Sequence, residues 1–324
     1  MKYSMKIVSF CMLLIIAHAQ ANAADTVTVM VVATPVAVTK LGGPVAALHA
    51  VKTDIENINR SFGNSKIDGY IKLVRTDLFN DAPPLCMVDL LNEVVTVRQP
   101  ASLQLSLMRS ECSADIVIII VDEPTTCGLS GEYRDASQAY IVLNYKCLGR
   151  NSSMARQLGY LLGCGNHESE SGRFNPFNDN ALAYFYEDED DESKSFSTIM
   201  AYTDERISSN EPDFNLINYW STPDRTVLYM GKPVGDATHD NAAQIRQALK
   251  FVSRYKEEYG MLTTIDTRVR SYNMINMASK RELNMVSLNL EAESMSEMRS
   301  KKVRLSGNGR IAAGATARFV GIKN

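Results

Sequence analysis

The chain has 324 residues, 45% of them hydrophobic, and its 34 Lys and Arg stand against 37 Asp and Glu, a formal net charge of −3. That balance gives no electrostatic footing for nucleic acid, which draws on clustered Lys and Arg. The length suffices to bury a full core, as one large domain or one domain plus an appendage.

At the N-terminus Lys2 and Lys6 precede the apolar run Ile7 to Ala17, and Ala21-Asn22-Ala23 offers small residues for cleavage after Ala23. Residues 1–23 read as a bacterial-type secretory signal peptide, because the apolar run is shorter than the ~20 residues of a bilayer span. No later stretch is long and apolar enough for a span either. The expectation is a periplasmic or secreted protein with no transmembrane anchor after cleavage. Beyond the leader stand Cys86, Cys112, Cys127, Cys147 and Cys164, an odd set for an oxidising compartment. Two bridges and one free thiol is the expected arithmetic.

In chain order, "TVTVMVVA" (Thr26 to Ala33) is a β-branched run that predicts a buried strand ending at Pro35. Gly42-Gly43-Pro44 opens a helix whose apolar residues Val45, Leu48, Val51, Ile55, Ile58 and Phe62 step by three and four. A second strand fits Tyr70 to Val74, and Leu85 to Met108 predicts two short helices broken at Pro100. "DIVIIIVD" (Asp115 to Asp122) has the continuous apolar run of a central strand covered on both faces. "QAYIVLNYKC", ending at Cys147, predicts an edge strand, followed by the helix that begins "ARQLGYLL". Asp240 caps a last helix with Ile245, Leu249, Val252 and Tyr255 on one face and Gly260 as its stop. The order is that of an α/β sandwich. Beyond residue 260, "LNMVSLNLEA", "KKVRLSG" and "RIAAGATARFVG" are short alternating segments that predict a small β appendage without a nameable repeat. The run "EDEDDE" (Glu187 to Glu192) lacks the spaced glycine of a calcium loop and reads as a solvated loop.

The chemistry-bearing stretch is "ARQLGYLLGCGNHE" (Ala155 to Glu168), with apolar filling at Leu158, Leu161 and Leu162 and a glycine bend at Gly163. Downstream lie "STIMAY" (Ser197 to Tyr202), "RISSNEPDFNLINYWSTP" from Arg206, and "YMGKPVGDATHDNAAQIRQAL". As an ordered series over roughly residues 26 to 258, these segments resemble the secreted bacterial metzincin-like (reprolysin-like, zinc-dependent) metallopeptidases. The cysteine-glycine turn after "DIVIIIVD" resembles theirs too. The resemblance implies a mixed sheet, an active-site-type helix, and a Met-turn with Met200 beneath the metal position and Tyr202 two residues on.

In the metzincin pattern H-E-x-x-H-x-x-G-x-x-H, two histidines share one helix face, the glycine turns the chain to a third, and the glutamate activates water. Laid on this sequence with Gly163 as that glycine, Arg156, Gln157, Tyr160 and Asn166 replace the first histidine, glutamate, second histidine and third histidine. His167 falls where the family usually has an acidic residue. A guanidinium stays protonated and repels a cation, and an amide takes no proton from water near neutral pH. A tyrosinate site from Tyr160, Tyr202 and His167 is disfavoured by the phenol pKa of about 10. No metal site is expected, and zinc only if the family activity is retained. Two placements of Arg156 stand equal: pointing into the old site with the Tyr160 and Asn166 oxygens as acceptors, or swung to solvent while Tyr160 packs in the core.

Other chemistry reads as structural. No G-x-S-x-G elbow occurs. "CGLSG" reads as the turn after a strand, with Cys127 bridged to Cys147. Cys164 near His167 reads as a buried cysteine before a thiolate dyad. His49 and His239 read as surface or capping residues. The expected organisation is a leader (1–23), a metzincin-like domain with a degenerate site (24–260) and a β-rich appendage (261–324). The expected function is a catalytically inactive homologue that binds a protein or peptide in a cleft lined by Arg156, Tyr160, Asn166, His167, Met200 and Tyr202. An active zinc metalloendopeptidase and an envelope-associated structural or adhesive protein are the alternatives.

Overall fold

The computed structural model describes residues 25–80, 86–96, 100–123, 126–150, 152–167, 176–201 and 215–255, and the strands between 261 and 321. The expected leader, Glu168, Tyr202 and Gly260 lie outside the described residues.

β1 (Asp25–Ala33) leads into α1 (Pro35–Lys40) and α2 (Pro44–Asn64), and β2 (Gly69–Leu78) follows. The short α1 is absent from the sequence expectation. Its start is set by Pro35 in the first turn and by Thr34, whose hydroxyl accepts from Ala37 N at 3.3 Å. α3 (Met87–Thr96) and α4 (Pro100–Glu111) precede β3 (Ile116–Val121), β4 (Gly128–Ser130) and β5 (Tyr140–Asn144), and then α5 (Ser153–Leu161). Beyond it lie the two-residue strands β6 (Phe185–Tyr186), β7 (Phe196–Ser197) and β8 (Asn215–Leu216), the hairpin of β9 (Leu228–Tyr229) and β10 (Lys232–Pro233), and α6 (Asn241–Val252).

The main sheet has the order β2-β1-β3-β5-β4, parallel except for β4, which runs antiparallel to β5. β3 is central, as its unbroken apolar run predicts, and all six of its residues are buried. Alternate side chains feed two cores: Ile116, Ile118 and Ile120 pack on the side of α2, α5 and α6, and Val117, Ile119 and Val121 on the side of α3 and α4. The result is a three-layer sandwich of mixed α/β class.

Three expectations need correction. The segment read as an edge strand, β5, lies inside the sheet, and all five of its residues are buried. The edge is β4, in the stretch read as a turn, where three residues are too few to show a periodicity. Second, α6 stops at Val252, with Ser253 as C-cap bonded to Leu249 O, well before Gly260. Third, among the described residues one disulfide forms, Cys127–Cys147, while Cys86 is exposed and Cys112 and Cys164 are buried free thiols. Cys112 and Cys164 belong to cores on opposite faces of the sheet, so the sheet itself keeps them apart.

The C-terminal strands repeat. β11 (Met261–Thr264), β12 (Thr267–Val269) and β13 (Met274–Ala278) are followed by β14 (Glu282–Met285), β15 (Leu288–Leu290) and β16 (Met295–Ser300), then β17 (Lys302–Leu305), β18 (Arg310–Ile311) and β19 (Thr316–Gly321). They form three parallel sheets, β11-β14-β17, β12-β15-β18 and β13-β16-β19. Paired residues such as Met261 and Glu282, or Met274 and Met295, lie 21 positions apart. This is a solenoid of three coils in place of a simple alternating appendage. β13 lies alongside β2, the edge of the main sheet opposite β4.

Candidate functional site

α5 carries Met154, Leu158, Leu161 and the adjoining Leu162 at helical spacing, and every one of its nine residues is buried. The helix stops at Gly163, whose φ of +84° suits glycine. A Cβ there would meet Gln244 Nε2, Tyr133 Cδ1 and Phe177 Cβ at 2.7, 2.8 and 3.0 Å. The carbonyls freed at the helix end are taken up: Gln244 Nε2 donates to Leu162 O at 2.8 Å, and Phe177 N donates to Gly163 O at 2.9 Å. The bend therefore returns the chain to place Asn166 beside the helix.

Arg156 is only 2% exposed, which overturns its solvent placement. Its Nε and Nη2 donate to Ile199 O at 3.3 and 3.2 Å, joining α5 to the 3-10 turn Ile199–Ala201 that contains Met200. Tyr160 and Asn166 come together as well, the phenol donating to Asn166 Oδ1 at 2.6 Å. Met200 is fully buried against the helix at Gly159, where a Cβ would lie 2.5 Å from Met200 Sδ and 2.9 Å from Trp220 Cζ3. Trp220, which the sequence reading passed over, is itself pinned by Nε1 donating to Ser61 Oγ at 2.8 Å. Gly159, Met200 and Trp220 thus make one close-packed contact under the helix.

Gln157 turns toward the sheet edge, because a Cβ on Gly128 of β4 would sit 2.9 Å from its Cγ. In the β4–β5 ladder Asn144 N donates to Cys127 O and Gly131 N to Tyr140 O. This register turns the backbone groups of Gly128 and Ser130 away from β5. Among the described residues no strand pairs with that outer side, and the buried Ser130 hydroxyl has no hydrogen-bond partner. The Cys127–Cys147 bridge ties the start of β4 to the segment leading into α5.

His167 stacks on His239, with ring centroids 5.6 Å apart and planes inclined by 13°. His239 is buried, its Nδ1 lies 2.7 Å from Asp236 Oδ1, and Tyr184 meets its ring edge-on. This replaces the surface or capping role read for His239. The only local signal is Asp236 three residues earlier; the pairing with His167 is a long-range contact. Cys164 donates to Asn241 O at 3.8 Å, and burial, aided by the Asp240 charge, pushes its thiol pKa well up, which suits a structural cysteine and not a nucleophile.

No protein-family model matches the chain. It is 27% identical over 228 residues to a peptidyl-Asp metalloendopeptidase of Stenotrophomonas maltophilia, covering 70% of this chain and 52% of that protein. A second, from Xanthomonas campestris, is 28% identical over 227 residues, covering 69% of this chain and 50% of that protein. Its curated relatives are metalloendopeptidases. The chain spans about half the length of these relatives. Among solved structures, a chain of a chaperone–substrate complex superposes with a TM-score of 0.53 at 18% identity, over 73% of this chain and 36% of its own, a likeness of fold alone.

A metalloendopeptidase holds its metal with histidine, cysteine or carboxylate. Among the described residues, no three such side chains gather into a group that could hold an ion. Along α5 and its bend the polar groups are a guanidinium, a carboxamide, a phenol and a second carboxamide, with His167 stacked on another ring. Those residues do not fit a catalytic zinc.

Proposed function

We propose that this chain is a metallopeptidase-type fold without hydrolytic chemistry, which binds an extended peptide or protein segment along the side of β4 that no described strand pairs. The observation that carries the reading is the buried Arg156 guanidinium on Ile199 O. At the position of the first metal ligand stands a fixed cation anchored to the Met-turn segment, and a second positive charge there would be repelled. Tyr160 and Asn166, at the second and third ligand positions, are bonded to each other. Gln157, at the position of the general base, is an amide packed toward Gly128.

What remains usable is the side of β4 on which, among the described residues, no strand pairs. Outward N–H and C=O groups of an edge strand accept a peptide as one more strand, so binding needs none of the lost chemistry. The relatives' name points to peptide chains as the class of ligand. Residues 24–260 supply the binding edge in this reading, residues 261–324 form a solenoid that meets the main sheet at β2, and the leader takes the protein to the periplasm or beyond.

Elemental analysis of the purified mature protein, with a casein cleavage assay run with and without chelator, tests the proposal. The expected result is zinc far below one equivalent and no chelator-sensitive cleavage. Stoichiometric zinc with chelator-sensitive cleavage makes the protein an active zinc metalloendopeptidase and overturns the reading.

A further inference from the structure

Asp54 of α2 is buried, at 8% exposure. Both of its oxygens accept from Gly149 N, at 3.0 and 2.9 Å, and among the described residues no side chain donates to them. A carboxylate accepts about four hydrogen bonds, so Asp54 keeps unused acceptor capacity in a place where an unpaired charge is costly. Burial accordingly pushes its carboxyl up to about 6.

The unused oxygens line a cavity of about 360 Å³. α2 supplies Asp54, Asn57 and Arg60, the segment ahead of α5 supplies Arg150, and the stretch at β8 supplies Leu216 and Asn218. These walls are fastened to one another. Asn218 Nδ2 donates to Asn57 O at 3.0 Å, Asn64 Nδ2 donates to Asn218 O at 3.0 Å, and the Asp54 contact with Gly149 holds α2 to the third wall. Asp54 is the one acid among the lining residues, and Arg60 and Arg150 are the two bases. Both arginines are exposed, and among the described residues neither pairs with a carboxylate. The cavity therefore joins an exposed cationic rim to a buried carboxylate, and the two signs are left unneutralised within it.

That arrangement discriminates by charge. A simple anion would meet Asp54, a simple cation would meet the arginines, and a molecule that carries both charges satisfies both ends. The volume lies at the lower end of the range for small-molecule sites. We propose that the cavity binds a small zwitterion of dipeptide size, its ammonium on Asp54 and its carboxylate on Arg60 and Arg150. The site shares no residue with β4 and is independent of the edge-strand reading above.

Isothermal titration calorimetry on the full mature protein tests the site with alanylalanine, its N-acetyl derivative, which lacks the ammonium, and its C-terminal amide, which lacks the carboxylate. The free dipeptide is expected to bind roughly tenfold more tightly than either blocked form, the scale of one charge-assisted hydrogen bond. Arg60→Gln and Arg150→Gln, at exposed positions, each narrow the gap between dipeptide and amide and leave the gap to the N-acetyl form in place. Asp54→Asn does the reverse. At pH 6 Asp54 is close to half protonated, and an arriving ammonium ionises it, so binding releases up to about half a proton to the buffer. Titrations in buffers of different ionisation enthalpy read that release, which Asp54→Asn abolishes. Equal affinity for the dipeptide and either blocked form overturns the proposal, as does a proton release unchanged in Asp54→Asn or failure of all three compounds to bind.

Discussion

The guanidinium of Arg156 and the carbonyl of Ile199 are joined by two hydrogen bonds across 43 residues of sequence, inside the core. The pair fastens α5 to the turn that carries Met200, and Gly159 lets that turn approach the helix closely.

Truncating Arg156 leaves both a cavity and a buried carbonyl short of its donors. Arg156→Ala is expected to lower the unfolding free energy by about 3–5 kcal/mol, the range for large buried truncations that also strand a polar partner. Arg156→Met keeps most of the volume and is expected to cost less. Urea denaturation of the two variants measures the difference, and a midpoint unchanged in Arg156→Ala would show that the contact contributes nothing to the fold.

The thiols are expected to react in two classes. Cys86 is exposed, whereas burial pushes Cys112 up to about 11 and Cys164 well above the ordinary range. Alkylation at pH 8 should therefore modify Cys86 quickly and Cys112 and Cys164 only after denaturation. Reduction should release a further two from Cys127–Cys147. That bridge closes a loop with a separation of 20 residues, so its removal in a Cys127→Ala, Cys147→Ala variant is expected to cost about 3 kcal/mol on the loop-entropy account. Mass mapping of the first label decides the matter; early modification of Cys112 or Cys164 contradicts their burial.

Asp54 gives the fold a pH dependence. It lies in a cavity of about 360 Å³ between α2 and the start of α5, with Arg60 and Arg150 also lining it. Burial pushes its carboxyl up to about 6, against the lowering effect of Gly149 N, which donates to both oxygens at 2.9 and 3.0 Å. A raised folded-state pKa means that the fold binds the proton more tightly than the open chain. The favourable contribution is complete below the ordinary carboxylate pKa near 4 and is lost as pH rises through about 6. Asp54→Asn keeps an acceptor for Gly149 N and does not titrate. The variant is expected to be more stable than the wild type at pH 7, by on the order of 2–3 kcal/mol, with the gap closing toward pH 4. Paired denaturation curves at the two pH values test this, and a gap independent of pH would refute it.

Much of the scaffold was legible because burial leaves a local trace. The uninterrupted run of β3 announces cover on both faces, and the three-and-four spacing of α2 announces one buried stripe. The Cys127–Cys147 bridge was also within reach, whereas Tyr160 donating to Asn166 was not expected, since both oxygens were read as acceptors for Arg156. β5 was misplaced although its sequence is as apolar as an interior strand requires, because β4 beside it is too short to declare itself. The solenoid escaped for a related reason. Its 21-residue period leaves only a sparse trace, Leu262 with Leu283, Met274 with Met295 and Met277 with Met298, set among unlike partners such as Met261 and Glu282.

The sequence by itself determined most of the longer strands and helices of the main domain, and which polar residues stand along α5 and its bend. It set the chemistry there: a guanidinium, a phenol and two carboxamides. Only the tertiary structure decided where those groups point. Arg156 could face solvent or core with the same neighbours in sequence, and the choice was made by a carbonyl 43 residues away. The stacking of His167 on His239 and the place of β4 at the edge of the main sheet arise in the same way. Periodicity reports how much of an element is buried; the partner that buries it comes from another part of the chain, and no local pattern carries its address.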